Sequence, residues 1–259
     1  MRLPQTFLFT MIAFIACKKE GFNNKNDKQS NYSSISRLAV QDNLLDNFYL
    51  AKGLHNGLLE LEFTNLSNGS LTVGDTVGLI SMSNLYFTSE GNFSNDEIDN
   101  LNSGISNLLS STSDLQDALE NYINSDESMS SLYSWIIAQS EDWTLPYTNF
   151  EQRLINKLSQ IEEDELISNE DKIAYSFVLG VSAGTYQYWQ QNIDNWRQLI
   201  SPNSDPIVYR NKWVEFFLRD CAGATWGAMY GTSVPLLGTG AGAIGGAAIL
   251  SAMEAQSWK

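Results

Sequence analysis

The run CAGATWGAMYGTSVPLLGTGAGAIGGAAILSAM, residues 221–253, decides how this chain folds. It holds no charged residue. Gly223, Gly227 and Gly231 are spaced by four, and so are Gly238, Gly242 and Gly246. Ala224 with Ala228, and Ala248 with Ala252, keep the same step. That spacing puts small residues in one column on a helix, where two backbones can approach closely. Pro235, Leu236 and Leu237 stand between the two columns. The pattern predicts two helices folded on each other through glycine seams. Glycine costs about 1 kcal/mol relative to alanine in a helix interior, so close packing is needed to offset the loss.

Two placements compete for this hairpin. One is insertion into a bilayer, which suits the uncharged length and the membrane enrichment of GxxxG. The other is the buried centre of a helical domain. Gly, Ala, Ser and Thr are only modestly apolar, and the arm before Pro235 is short for a spanning helix. Gly180 and Gly184 repeat the four-residue step in the preceding helix and offer the hairpin a partner. The sequence therefore favours the buried centre.

Upstream, helical periodicity dominates. From 35 to 66 the residues Leu44, Leu45, Phe48, Ala51, His55, Leu58, Leu59, Glu62 and Phe63 recur at three- and four-residue steps. Leu59 to Phe63 alternates as a strand would, but the long stripe before it favours helix. Ser67-Asn68-Gly69-Ser70 reads as a turn. Val73 to Val77 reads as loop or short strand, and 78–87 as a helix. Ser94-Asn95-Asp96-Glu97 is a capping box. It opens a helix whose stripe is Ile98, Leu101, Ile105, Leu108 and Leu109. Two short helices follow, one with Leu115, Ala118, Leu119, Tyr122 and Ile123, the other with Leu132, Trp135, Ile136 and Ile137. A break at 143–147 precedes a helix predicted from about Phe150 to Leu166. Ser168 caps the next, with Asp171 in its first turn. That helix runs to about Leu199, with Ile173, Phe177, Val181, Gly184 and Tyr188 on one face, before Pro202 and Pro206.

The N-terminal end carries the address. Arg2 precedes the apolar run from Phe7 to Ala16, which has the length of a signal-peptide core and is too short to span a bilayer. It ends in Phe14-Ile15-Ala16-Cys17, which resembles the lipobox of bacterial lipoproteins. That resemblance implies cleavage before Cys17 and lipidation of its thiol and new amino terminus, several acyl chains being needed for stable anchoring. Lys18 to Asn31 is polar and reads as a flexible tether. The organisation expected is a signal peptide at 1–16, lipidated cysteine and tether at 17–34, a helical domain at 35–200 and the glycine-zipper hairpin at 206–257.

Composition narrows the partners. The formal net charge is −15, and nothing resembles a basic stripe, which argues against nucleic acid. Beyond the Lys18-Lys19 pair there is little to attract anionic lipid. With Cys17 lipidated, Cys221 is the one cysteine left, so the mature chain can form no internal disulfide.

Three features together resemble a group of uncharacterised Bacteroidota lipoproteins. They are Gly53-Leu54-His55-Asn56-Gly57-Leu58, Ser176-Phe177-Val178-Leu179-Gly180 through Tyr188-Trp189, and the glycine zipper beginning at Asp220; the Cys17-Lys18-Lys19 start fits as well. The resemblance covers most of the mature chain and brings no activity with it. The zipper is also similar to class II bacteriocin sequences, although here it is fused to a large domain.

Candidate chemistry is sparse. His55 is the single histidine, so a histidine-rich metal site has no second ligand of that kind. No Gly-x-Ser-x-Gly elbow supports a triad built on it. His55 and Asn56 are expected to make local or interhelical hydrogen bonds. The acidic pairs and runs at Asp96-Glu97 and Glu162 to Glu165 lack EF-hand spacing. Tyr186, Tyr188, Trp189 and Trp196 are expected in the core. No catalytic residue, metal or cofactor is assigned. The expectation is an all-α bundle with the hairpin packed into it, serving as an exported, non-enzymatic lipoprotein of the cell envelope with the outer membrane as its anchor. The alternatives are a membrane-active, bacteriocin-like protein and a hydrolase with an unrecognised site.

Overall fold

A computed structural model describes residues 43–72, 75–90, 93–111, 115–140, 145–205 and 213–233, together with 240, 242–247 and 250. The signal peptide, Cys17 and its tether, Gly238 and the 251–257 end of the expected hairpin lie outside the described residues. Among the described residues every regular element is a helix. They are α1 (Leu44–Ser67), α2 (Thr76–Ser89), α3 (Asn95–Ser111), α4 (Leu115–Ile123), α5 (Glu127–Gln139), α6 (Tyr147–Glu163), α7 (Asn169–Ile200) and α8 (Trp213–Ser233). The residues described from 240 to 250 are helical too. The fold is all-α.

Local chemistry sets most helix ends. At α3 the capping box is reciprocal: the Ser94 amide donates to Glu97 Oε2 at 2.8 Å, and the Glu97 amide donates to Ser94 Oγ at 3.2 Å. Asp75 accepts from the Gly78 amide at 2.8 Å, and Ser168 accepts from the Asp171 amide at 3.1 Å. After α1 the chain turns through Gly69, whose φ of 78° lies in the left-handed region that favours glycine.

Helix α6 begins at Tyr147, earlier than its own sequence suggests, and ends at Glu163 rather than Leu166. Pro146 has no side chain to cap it, and the orphan amide of Tyr147 donates instead to Gln190 Oε1 of α7 at 3.2 Å. Gln190 Nε2 and the Tyr186 hydroxyl both donate to the Leu145 carbonyl, at 3.0 and 2.9 Å. A cap from another helix leaves no local signature. Past Glu163 the backbone turns extended at Asp164, and Leu166 is 96% exposed.

Helix α7 is the axis of the molecule. It packs against α1, α5, α6 and α8. From Ala174 to Tyr186 every residue is buried, so the single inward face expected from the sequence is too narrow: neighbours cover α7 on all sides. Phe150 of α6 stacks on Tyr186 with centroids 4.2 Å apart, and Trp189 stacks on Phe216 of α8 at 4.2 Å. Tyr186, Tyr188, Trp189 and Trp196 are all core residues.

The glycines of α7 bring α1 in. A Cβ on Gly180 would overlap the Phe48 carbonyl oxygen and would lie 2.9 Å from Ala51 Cβ. One on Gly184 would lie 2.8 Å from Asn56 Oδ1 and 3.1 Å from the Lys52 carbonyl oxygen. Such approaches are tighter than side-chain packing allows. The sequence reading assigned these two glycines to the hairpin, and the structure corrects that assignment. The reason is periodicity: a four-residue column fixes which side of a helix is bare, not which neighbour fills it.

The hairpin glycines meet one another. A Cβ on Gly223 would lie 2.8 Å from the Gly246 carbonyl oxygen, and one on Gly227 would overlap that of Gly242. Since 223 faces 246 and 227 faces 242, the two segments run antiparallel. Gly231 closes the row, its Cα 3.4 Å from a Cβ placed on Gly242. Gly240 rests on the Phe177 ring of α7, and Gly245 on the Leu101 side chain of α3. Asp220 to Ala228 and 242–247 are buried throughout.

Candidate functional site

The α1–α7 crossing sets up a polar cluster in this otherwise apolar centre. One turn beyond Ala51, α1 presents His55; two turns further it presents Glu62. Helix α7 contributes Thr185 and Trp189, and α8 contributes Asp220. His55, Glu62, Thr185, Trp189 and Asp220 are all completely inaccessible to solvent.

Asp220 is the hub. Its Oδ2 accepts from the Thr185 hydroxyl in a short hydrogen bond and from Trp189 Nε1 at 3.1 Å. His55 Nε2 stands 3.4 Å from the same oxygen. On its other side the imidazole Nδ1 lies 3.2 Å from Asn56 Oδ1. Both ring nitrogens thus face oxygen atoms, but Nε2 makes no hydrogen bond among the described residues. Asp220 Oδ1 and both carboxyl oxygens of Glu62 have no hydrogen-bond partner among the described residues. Burial pushes the Glu62 carboxyl well above its ordinary value, and the Asp220 carboxylate pushes it further the same way.

A ring of weaker donors surrounds the hub. Cys221 Sγ donates to Ser182 Oγ at 3.3 Å, and burial raises the thiol well above its usual range. Trp196 Nε1 donates to the Tyr188 hydroxyl at 3.1 Å. Desolvation raises the Tyr188 phenol too, with Glu60 and Glu62 adding negative charge nearby.

The geometry limits what this cluster can do chemically. In an acid–base triad the imidazole sits between a nucleophile and a carboxylate. Here the carboxylate sits in the middle, and Thr185 donates to it rather than to His55. Among the described residues no three His, Cys, Asp or Glu side chains converge as a metal-ligand set. A groove of about 550 Å³ lies elsewhere, between Asn43 and Leu45 of the α1 start and Ile155, Leu158, Ser159 and Glu162 of α6. It brings a single carboxylate to a wall that is half aliphatic and half polar.

No family model matches this chain. Neither the curated proteins nor the solved structures provide a match.

Of the residues singled out from sequence, Gly223, Gly227, Gly231, Gly242 and Gly246 come together, while Gly180 and Gly184 sit against α1. Cys17 and Gly238 lie outside the described residues. The sequence singles out His55 and places Glu62 in a buried stripe, but does not show that Asp220 approaches His55 and acts electrostatically on Glu62. The available signal was a glutamate on an apolar stripe, which calls for a buried partner.

Proposed function

We propose that the chain is an exported lipoprotein, tethered to a membrane through lipid on Cys17, with a non-enzymatic structural or interaction role at the cell envelope. The observation that carries this reading is the sequence Phe14-Ile15-Ala16-Cys17 at the end of a signal-length apolar run, followed by a polar tether. The architecture of the body supports it. Among the described residues no helix is long and apolar enough to cross a membrane. The described glycines of the uncharged segment pack against other parts of the chain, which favours a tethered body over one that inserts its hairpin. The one polar cluster of note is sealed from solvent, which suits a structural role better than substrate turnover.

Radiolabelled palmitate fed to cells expressing the full chain is expected to enter the wild type and not Cys17→Ser. Equal labelling of the two proteins would overturn the reading.

A further inference from the structure

We propose that Glu62 and Asp220 form a proton-held latch, in which one proton on the Glu62 carboxyl allows α1 to close on α7 and α8 and its removal in alkaline solution loosens that contact. The latch stands first on geometry. Glu62 of α1 and Asp220 of α8 are both fully buried, and the Asp220 charge acts on Glu62. The Thr185 hydroxyl and Trp189 Nε1 both donate to Asp220 Oδ2, and His55 Nε2 lies 3.4 Å from the same oxygen without a hydrogen bond. Nothing donates to either Glu62 oxygen among the described residues. A buried carboxylate without donors is strongly disfavoured. A neutral carboxylic acid in the same place is far easier to accommodate.

The neighbouring groups make the assignment one-sided. From α8, Asp220 presents negative charge to Glu62. From α7, the titratable neighbour is the Tyr188 phenol, which is itself held neutral by burial and faced by Glu60 of α1. His55 of α1 lies beside Asp220, and Cys221 of α8 is a buried thiol hydrogen-bonded to Ser182. The proton therefore belongs on Glu62, with Asp220 the acceptor for the surrounding donors.

The sign follows from linkage. Glu62 holds its proton more tightly folded than unfolded, so its contribution to stability is complete below the ordinary value near 4.5 and is lost as pH rises through the raised folded value. Carboxylates engaged in surface caps act in the opposite direction, so the comparison must be made against a variant lacking this one titration.

The experiment uses the full-length chain in detergent, with melting temperatures of wild type, Glu62→Gln and Asp220→Asn taken from about pH 5 to 9. Glutamine keeps the shape of a protonated glutamate and cannot ionise. The expected result is that wild type falls progressively below Glu62→Gln as pH rises, and that in Asp220→Asn this fall is smaller and ends at lower pH, because removing the neighbouring charge lets Glu62 ionise more readily. Parallel profiles for wild type and Glu62→Gln would overturn the latch. Should either variant fail to fold, infrared spectra of wild type carrying ¹³C-labelled glutamate decide. A protonated-carboxyl band at neutral pH that disappears in alkali supports the proposal, and its absence at neutral pH sinks it.

Discussion

Gly227 and Gly242 lie back to back across the seam between α8 and the 240–250 segment, each placed so that a Cβ on it would overlap the other's carbonyl oxygen. The obstacle on both sides is backbone, which cannot swing aside as a side-chain tip does. Gly227→Ala is therefore expected to destabilise the fold despite alanine's better helix propensity, by about 1–3 kcal/mol as in other overpacked cores. Gly227→Leu should prevent the seam from closing. Urea denaturation gives the measure, and a Gly227→Ala protein as stable as wild type would show that the seam is looser than described.

Helices α1 and α7 allow a matched pair of glycine substitutions. At Gly180 a Cβ would strike the Phe48 carbonyl, whereas at Gly53, on the exposed side of α1, it would meet nothing within 4 Å. Gly53→Ala is expected to stabilise by about 0.5–1 kcal/mol, by removing freedom from the unfolded chain and improving helix propensity. Gly180→Ala should move stability the other way. If both variants shift the melting midpoint in the same direction, the assignment of Gly180 to the α1 contact is wrong.

Asp126 caps α5 and carries a pH signature opposite to that of Glu62. Its carboxylate accepts from the amides of Met129 and Ser128, both at 3.0 Å, and from the Ser128 hydroxyl at 2.8 Å. The Met129 amide is the main cause of its lowered pKa, which the Ser128 bonds reinforce against a partial burial cost. A lowered value means stability that is present above the ordinary value near 3.8 and is lost as pH falls through the folded one. Asp126→Ala should cost about 1 kcal/mol at neutral pH. Thermal melts in acid should show that deficit shrinking, and a deficit that is constant with pH would count against the cap.

Cys221 is completely buried beside Asp220, and desolvation keeps its thiol protonated. A protonated, inaccessible thiol is a poor nucleophile. In a Cys17→Ser chain, maleimide is expected to leave the native protein unlabelled and to label it fully in denaturant. Rapid labelling of the native protein would mean that the α7–α8 interface opens readily.

The local features were legible in the residues themselves. The Ser94–Glu97 box, the Ser168 cap and the turn at Gly69 arise from contacts within a few positions along the chain, and they stand where capping chemistry put them. The stripe of α1 is buried at Leu44, Phe48, Ala51, His55, Leu58, Leu59 and Glu62, but Leu45 is exposed and Phe63 half-buried, because those two lie at the edge of the face that meets α7. The Tyr147 start of α6 was not legible, because its cap comes from Gln190 of another helix. Nor was the completeness of α7's burial, because a periodic stripe counts apolar residues whereas burial depends on how many neighbours surround the helix.

The glycine-rich run 221–253 shows where the division falls. Spacing alone pointed to bare helical columns there and to an all-α fold, because side-chain periodicity is a property of each helix separately. Only the tertiary structure decided which columns meet: Gly223 and Gly227 with Gly246 and Gly242, but Gly180 and Gly184 with α1. The same holds for the polar cluster. His55 and Glu62 were visible as polar members of a buried stripe, but the meeting of His55 with Asp220, Thr185 and Trp189 comes from three helices crossing at one point, and no step along the sequence encodes it.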